Sequence, residues 1–290
     1  MSEPLPPDPR RPQPPGPQPP CAPQAGQPQP GHYPPAKKGG GGATVAIIAI
    51  VGTLALVGLC VIVPILLLLL LPAINAAREA ARRNGCANNV RQICLAMMQH
   101  ESEYGYFPPA HGAVNDNGPP VSWRVRLLPY LEEQALFKTY DFDKPWDDPA
   151  NRALLKQTPR AYLCPSSSID EGRTNYVVVV GQETIFPGGP GREGPKPRDI
   201  PDGASKTILV VEVAGPGVPW TKPVDVRLAD LDFDRIGKPG QLGSEHAGGV
   251  FEAGFADGHV IAIHPSVDPE TLCAALTARG GGNEPPVILD

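Results

Sequence analysis

Charge is missing from residues 43–71, and apolar side chains are nearly missing from residues 1–42. The second absence excludes a folded core at the start of the chain. Those 42 residues hold 15 of the 39 prolines and seven of the glycines. Such a composition buries too little surface to offset chain entropy and reads as a disordered, polyproline-prone tail. The first absence argues against a soluble core helix, which would rarely run this long without a polar residue beyond Thr53. "ATVAIIAIVGTLALVGLCVIVPILLLLLL" is longer than the roughly 20 residues that cross ~30 Å of hydrocarbon. It is also too long for the apolar stretch of a signal peptide and lacks a small-residue cleavage site after it. Residues 43–71 are therefore expected to form a transmembrane helix, kinked at Pro64.

A basic stripe is lacking too. The chain has a net charge of −5; Arg10, Arg11, Lys37 and Lys38 against Glu3 and Asp8 give the tail +2, which leaves −7 beyond it. That balance excludes nucleic acid as an expected partner. Several chemical signatures are absent as well. No glycine-rich loop ends in the Gly-Lys-Ser/Thr of a phosphate cradle, and "GASKT" is not a nucleophile elbow. Asp230, Asp232 and Asp234 alternate as in a calcium loop, but Arg235 and Gln241 stand where an EF-hand needs Gly and Glu. The three acids remain weak metal candidates, read first as a solvated loop. Trp123, Trp146 and Trp220 suit a core or a loop anchor better than a sugar platform. No catalytic set assembles, so an enzyme is not expected and no cofactor is implied.

What is present starts directly after the apolar run. "PAINAAREAARRNGCANNVRQICLAMMQHESEY" is rich in Ala, and Glu79 is spaced to pair with Arg82 and Arg83. Val90, Ile93, Cys94 and Met97 fall near one helical face. Gly105 and Pro108-Pro109 end the pattern, so residues 72–107 read as an amphipathic stem. Ser122 is placed to cap a helix over residues 123–138, bent at Pro129, and Asp148-Pro149 opens another. β-branched runs follow in "NYVVVV" and "KTILVVEV". "FEAGFA" and "HVIAIH" flank Asp257-Gly258, a strong hairpin signal. Asp268-Pro269 opens a last short helix. Residues 181–199 form a long glycine- and proline-rich loop. Helix first and antiparallel strands after it give an α+β class.

Two residue groups invite chemistry. His246 and Asp257 could act as base and acid or as metal ligands, although Asp257-Gly258 serves first as a turn. His259 and His264 lie five apart on one strand and face opposite sides. Glu212, inside "LVVEV", needs a cationic partner such as Arg or Lys if it faces the core. Among the cysteines, Cys21 lies in the tail and Cys60 in the apolar run. Cys86, Cys94, Cys164 and Cys273 remain. Cys86 and Cys94 are eight residues apart on one helix, ~12 Å along its axis, beyond disulfide reach. Each must pair elsewhere or stay free.

The string "PAINAAREAARRNGCANNVRQICLA…YGYFPPA" resembles the start of a bacterial family of unknown function, DUF1559. "SWRVRLLPYLEEQALF", "KPWDDPAN", "YLCPSS", "TNYVVVVG", "DGASKTILVVEVA", "GVPWTKPVDV" and "HAGGVFEAGFADGHV" agree with it in order, over about residues 65–280. The resemblance implies a prepilin-like protein with a membrane-proximal helix and a C-terminal His…Asp-Gly signature, here His246, Asp257 and Gly258 with ten residues between His and Asp. It implies a Cys86–Cys164 pair, since both lie in family-like blocks, with Cys94 and Cys273 left as a second bridge or close thiol pair. Family members carry a basic leader and a Phe-Thr-Leu-Ile-Glu type processing site. Neither stands here, so cleavage near the Gly-rich segment and pilus formation by the chain alone are not expected.

The expected architecture is a disordered tail (1–42), a transmembrane helix (43–71), a stem (72–107) and an α+β domain (108–290), with a pilin-like long helix packed on an antiparallel sheet. The expected role is that of a single-pass, pseudopilin-like structural or interaction protein in a bacterial membrane, its partners being the bilayer, other proteins or copies of itself. Lys37 and Lys38 against Arg78, Arg82, Arg83 and Arg91 would by count place the large domain in the cytoplasm. The pilin-like helix order and the cysteines place it outside, with a cytoplasmic N-terminus, and that is the orientation expected. The alternative function is a membrane-tethered enzyme or metal-dependent binding domain using His246, Asp257 and Glu212.

Overall fold

The computed structural model describes residues 41–278 apart from residues 116, 189, 190 and 192. Most of the expected tail, with Cys21, lies outside the described residues, as do residues 279–290. The chain divides into two units, one ending at Val63 and the other starting at Pro64.

Helix α1 is Gly41–Tyr104, with Pro64 and Pro72 inside it. Its apolar first part is long and apolar enough to cross a membrane, and its most apolar window is unburied. Leu68, for example, is 76% exposed. In the second unit the helix gains a buried face at Cys86, Val90, Ile93, Met97 and His100. Those positions recur every three to four residues, the period of one side of an α-helix. Gly105, at φ 79, takes the left-handed turn after the last helical residue, and its N–H donates to Glu101 O.

A small hairpin follows, β1 (His111–Ala113) with β2 (Pro120–Ser122). Ser122 caps α2 (Trp123–Arg126), accepting from the Arg124 N–H. The single bent helix expected over 123–138 is instead three pieces: α2, a 3-10 turn at Leu128–Leu131, and α3 (Gln134–Thr139). Pro129 removes a donor, and Glu132 stands in the left-handed region at φ 63, which no continuous helix accepts. Asp148 caps α4 (Pro149–Arg152).

The rest of the domain is mainly β: β3 (Arg173–Thr174), β4 (Tyr176–Val177), β5 (Val179–Val180), β6 (Ile208–Glu212), β7 (Val218–Pro219), β8 (Val226–Arg227), β9 (Phe251–Phe255) and β10 (Val260–Ile263). Helix α5 (Pro269–Leu276) closes the described chain, capped by Asp268. The principal sheet has the order β10-β9-β6-β4 and is antiparallel throughout. The fold is α+β, a long N-terminal helix with antiparallel sheets packed on it.

Side chains of β4 and β9 alternate across this sheet, whereas β6 has a register shift between Ile208 and Val210 that leaves Leu209 and Val210 in the same core. Tyr176, Val178, Leu209 and Val210 join the buried face of α1 in one core. Val177, Val211, Phe251, Ala253 and Phe255 join Leu272, Ala275 and Leu276 of α5 in another. Gly254 marks the point where α1 comes close to the sheet: a Cβ there would overlap Cys94 Sγ and press on Val90 and Val210. The "NYVVVV" run is split between β4 and β5 for an electrostatic reason. The Val178 N–H donates to Asp225 Oδ1 at 3.1 Å, and Tyr176 O accepts from Arg124 Nη2 at 2.8 Å, so ladder groups are diverted to side chains.

Candidate functional site

Four elements converge where α1 meets the end of β6. Cys86 begins the buried face of the helix. Three residues on, Asn89 donates to Leu163 O at 2.7 Å and so holds the loop that carries Cys164. The two sulfurs are joined in a disulfide, with Cα atoms 5.3 Å apart and a sequence separation of 78. Glu212 is the last residue of β6. Alternation along that strand puts it on the same side as Val210, toward α1, and it is fully buried. His246 lies on the loop before β9, where Ser244 Oγ accepts its backbone N–H at 3.0 Å.

Cys86, Cys164, Glu212 and His246 are all buried, and one donor atom from each lies within 4.8 Å of the others. His246 Nε2 is 3.7 Å from Cys164 Sγ. Its Nδ1 is 3.1 Å from Glu79 Oε1, which also accepts the Ala247 N–H at 3.1 Å. Arg82 Nε donates to the other Glu79 oxygen at 2.9 Å. Desolvation works to raise the Glu79 carboxyl, but the donors from Arg82, Ala247 and His246 outweigh it and hold the group down at about 2. An ionised Glu79 accepts a hydrogen bond from Nδ1–H, and Nε2 is the ring nitrogen that faces Cys164 Sγ.

Glu212 stands differently. Its Oε2 accepts the Glu252 N–H at 2.9 Å, while Oε1 is buried without a hydrogen-bond partner. Burial pushes its carboxyl up to about 8, against the Glu252 N–H and with the repulsion of the Glu252 charge. Neither Arg nor Lys serves Glu212 as an ion-pair partner among the described salt bridges, so the cationic partner expected for it is replaced by sulfur and imidazole neighbours.

The structure brings His246 and Glu212 together but not Asp257, which corrects the expected trio. His246 precedes β9 and Asp257 follows it; a five-residue strand separates its ends by about 16 Å. Asp257 Oδ1 instead accepts the His259 N–H at 3.1 Å, and its own N–H donates to Ala204 O. Gly258 has φ 91, and a Cβ there would press on Met98 of α1. The Asp-Gly part of the signature therefore shapes the β9–β10 turn against the stem.

The expected second cysteine pair is also corrected. Cys94 and Cys273 are both free. Cys94 faces the α1 core and Cys273 lies on α5, across the sheet, so the strands intervene. Of the three acids at 230–234, Asp230 is held by Arg227 at 2.6 Å, and Asp232 caps a short turn by accepting the Asp234 N–H at 3.1 Å. They do not form a metal-ligand group among the described residues. Trp123 and Trp220 are fully buried, and Lys222 lies 5.3 Å over the Trp146 ring.

One buried pair escaped the sequence reading. Arg124 Nη2 meets Asp225 Oδ1 at 2.6 Å with both side chains fully buried. Trp123 Nε1 donates to the same carboxylate, and the Arg124 guanidinium lies 4.4 Å over the Trp123 ring. An arginine inside the apolar string "SWRVRLL" was the available signal.

Residues 75–195 match the model of a family described as a protein of unknown function (DUF1559). The chain thus resembles that family over its stem and the first part of its domain. The matched segment contains Cys86 and Cys164 but ends before Glu212 and His246. No curated protein and no solved structure matches the chain.

Proposed function

We propose that this chain is a single-pass, membrane-anchored structural or interaction protein of pseudopilin-like design, displaying its α+β domain outside the cytoplasm of a bacterium. The observation that carries this reading is the Cys86–Cys164 bond, which joins the helix following the apolar run to the loop before β3. Disulfides of this kind persist in oxidising compartments. The unburied apolar helix supports a lipid bilayer as one partner, and the acidic domain favours protein over nucleic-acid partners. Nothing in this role calls for catalysis or a resident cofactor.

A reporter that is active only outside the cytoplasm, fused after Asp290, is expected to be active in cells. Activity confined to a cytoplasm-specific reporter at the same position would overturn the proposed orientation.

A further inference from the structure

We propose that Cys86, Cys164, His246 and Glu212 form a two-state site: a disulfide when oxidised and, once a thiol reductant has opened it, a four-coordinate zinc site. The inference goes beyond the anchoring role and does not depend on which side of the membrane the domain occupies.

The donor set comes first. Two thiolates, an imidazole nitrogen and a carboxylate oxygen are the ligands zinc takes in tetrahedral sites. With Zn–S near 2.3 Å and Zn–N or Zn–O near 2.0–2.2 Å, tetrahedral donors stand about 3.3–3.8 Å apart. The four donor atoms already lie within 4.8 Å of one another. Rotation of the freed cysteine side chains and a contraction of about 1 Å would close the shell.

Glu212 is the second and independent observation. A disulfide needs no carboxylate beside it, and burying an acid with an unpartnered oxygen is costly. Yet Glu212 is fully buried in this cluster with Oε1 unpartnered. A cation at the centre of the four donors gives the Glu212 carboxylate the cationic partner it lacks. The third observation is the orientation of His246. Metal-binding histidines donate their other ring N–H to a carboxylate or carbonyl, which fixes the tautomer. Glu79 takes that place on Nδ1, and Nε2 is the nitrogen nearest Cys164.

The conversion balances as follows. A thiolate of the reductant attacks Cys164 Sγ, the sulfur of the more exposed cysteine; the S–S bond breaks, and its electron pair leaves with Cys86, which takes a proton. A second thiol resolves the mixed disulfide, so two thiols become one external disulfide and both cysteines become thiols. Zinc then displaces one proton from each thiol and the proton of Glu212, all released to water.

The test uses the full chain in detergent, oxidised or reduced with a phosphine that is then removed, dialysed against zinc and assayed for bound metal. One zinc per chain is expected after reduction and none with the disulfide intact. Cobalt in place of zinc is expected to show thiolate charge-transfer bands and the intense visible absorption of a tetrahedral site. Glu212→Gln and His246→Asn are each expected to weaken zinc binding by at least about tenfold. Cys164→Ser, which leaves the other thiols in place, is expected to abolish stoichiometric binding. Near-UV circular dichroism follows the fold; where reduction alone loosens the chain, zinc is expected to restore the signal. A reduced chain that holds no zinc, or that zinc fails to restore, overturns the proposal. So does equal binding to the oxidised chain, and so does unchanged affinity in Glu212→Gln and His246→Asn.

Discussion

The two faces of the principal sheet are built on different terms. Toward α5 the strands present Val211, Phe251, Ala253 and Phe255, all apolar, against Leu272, Ala275 and Leu276. Toward α1 the same strands present Tyr176 and Val210 but also Glu212, Glu252 and the bare backbone of Gly254, with Glu212 beside the disulfide and His246, while the buried Arg124–Asp225 pair holds backbone groups of the β4 run. One face is held by surface burial, at roughly 25 cal/mol per Å² of apolar area. The other carries buried polar groups that stabilise only when each finds a partner. Buried carboxylates are thus concentrated on the α1 side of the four-stranded sheet, where Glu212 and Glu252 lie.

The sharpest way to break this contrast is at Asp225. Asp225→Ala leaves the Arg124 guanidinium fully buried without its counter-charge. Removal of one partner from a buried pair costs about 3–5 kcal/mol. Denaturant unfolding of the second unit is expected to show that loss. A comparable truncation with no charge at stake, Leu272→Ala on α5, is expected to cost about 2–5 kcal/mol through lost burial and a cavity. The two differ in what rescues them: Asp225→Ala together with Arg124→Met is expected to recover much of the loss, because no orphaned charge remains.

The disulfide comes next. Cys86→Ser or Cys164→Ser is expected to cost about 2–4 kcal/mol under oxidising conditions. The same loss is expected when wild-type protein is unfolded in metal-free reductant, and the variants should then show no further loss. A wild-type unfolding curve that does not move on reduction would contradict a stapling role for the bond.

Gly254→Ala tests the close approach of α1. A methyl group there meets Cys94 Sγ and the Val90 and Val210 side chains. Overpacking of this kind costs about 1–3 kcal/mol. Ala253→Gly, one residue away and facing α5, removes atoms instead of adding them. Thermal unfolding of the pair is expected to show that Gly254 tolerates no added methyl, and that Cys94→Ala restores part of the loss in Gly254→Ala.

A smaller effect belongs to the α5 side. The Asp268 carboxylate accepts the Thr271 N–H and hydroxyl at 2.8 Å, and the Thr271 donors hold its carboxyl below the ordinary value of 3.8. A depressed acid stabilises the fold above its unfolded value and loses that contribution as pH falls toward its folded value. Asp268→Ala is therefore expected to lower Tm slightly at neutral pH, with the difference from wild type vanishing under strongly acid conditions.

These elements also show how far a sequence carries. Helix α1, the β9–β10 hairpin and the caps at Ser122, Asp148 and Asp268 were legible because each is set by residues within a few positions of one another. The site was legible only in pieces. His246 and Glu212 stood together in the alternative function, but Glu79 and His246 meet across 167 positions, and no local pattern reports such a meeting. Glu79 was read only as a partner for arginines on its own helix. His246 was grouped with Asp257 through the His…Asp-Gly signature that the family resemblance implies, whereas an intervening strand carries them apart. The second cysteine pair failed in the same way: Cys94 and Cys273 were left over once Cys86 and Cys164 were paired, and the sheet between them shows why they do not meet.

Those two leftover thiols sharpen the comparison with the least perturbation. Cys94 is fully buried on the α1 side, and burial pushes its thiol up to about 12, with a further rise from Asp257. Cys273, on α5, is only partly buried, although desolvation and Glu183 raise its thiol too. The thiolate is the reactive form, so access and charge state act together against Cys94. A water-soluble maleimide at pH 8, applied to the native oxidised chain, is expected to label Cys273 and to leave Cys94 unlabelled until denaturant is added. Mass mapping of the labelled peptides decides it. Labelling of Cys94 as fast as Cys273 would mean that α1 opens from the sheet under native conditions, and the tight α1 face would then be the looser of the two.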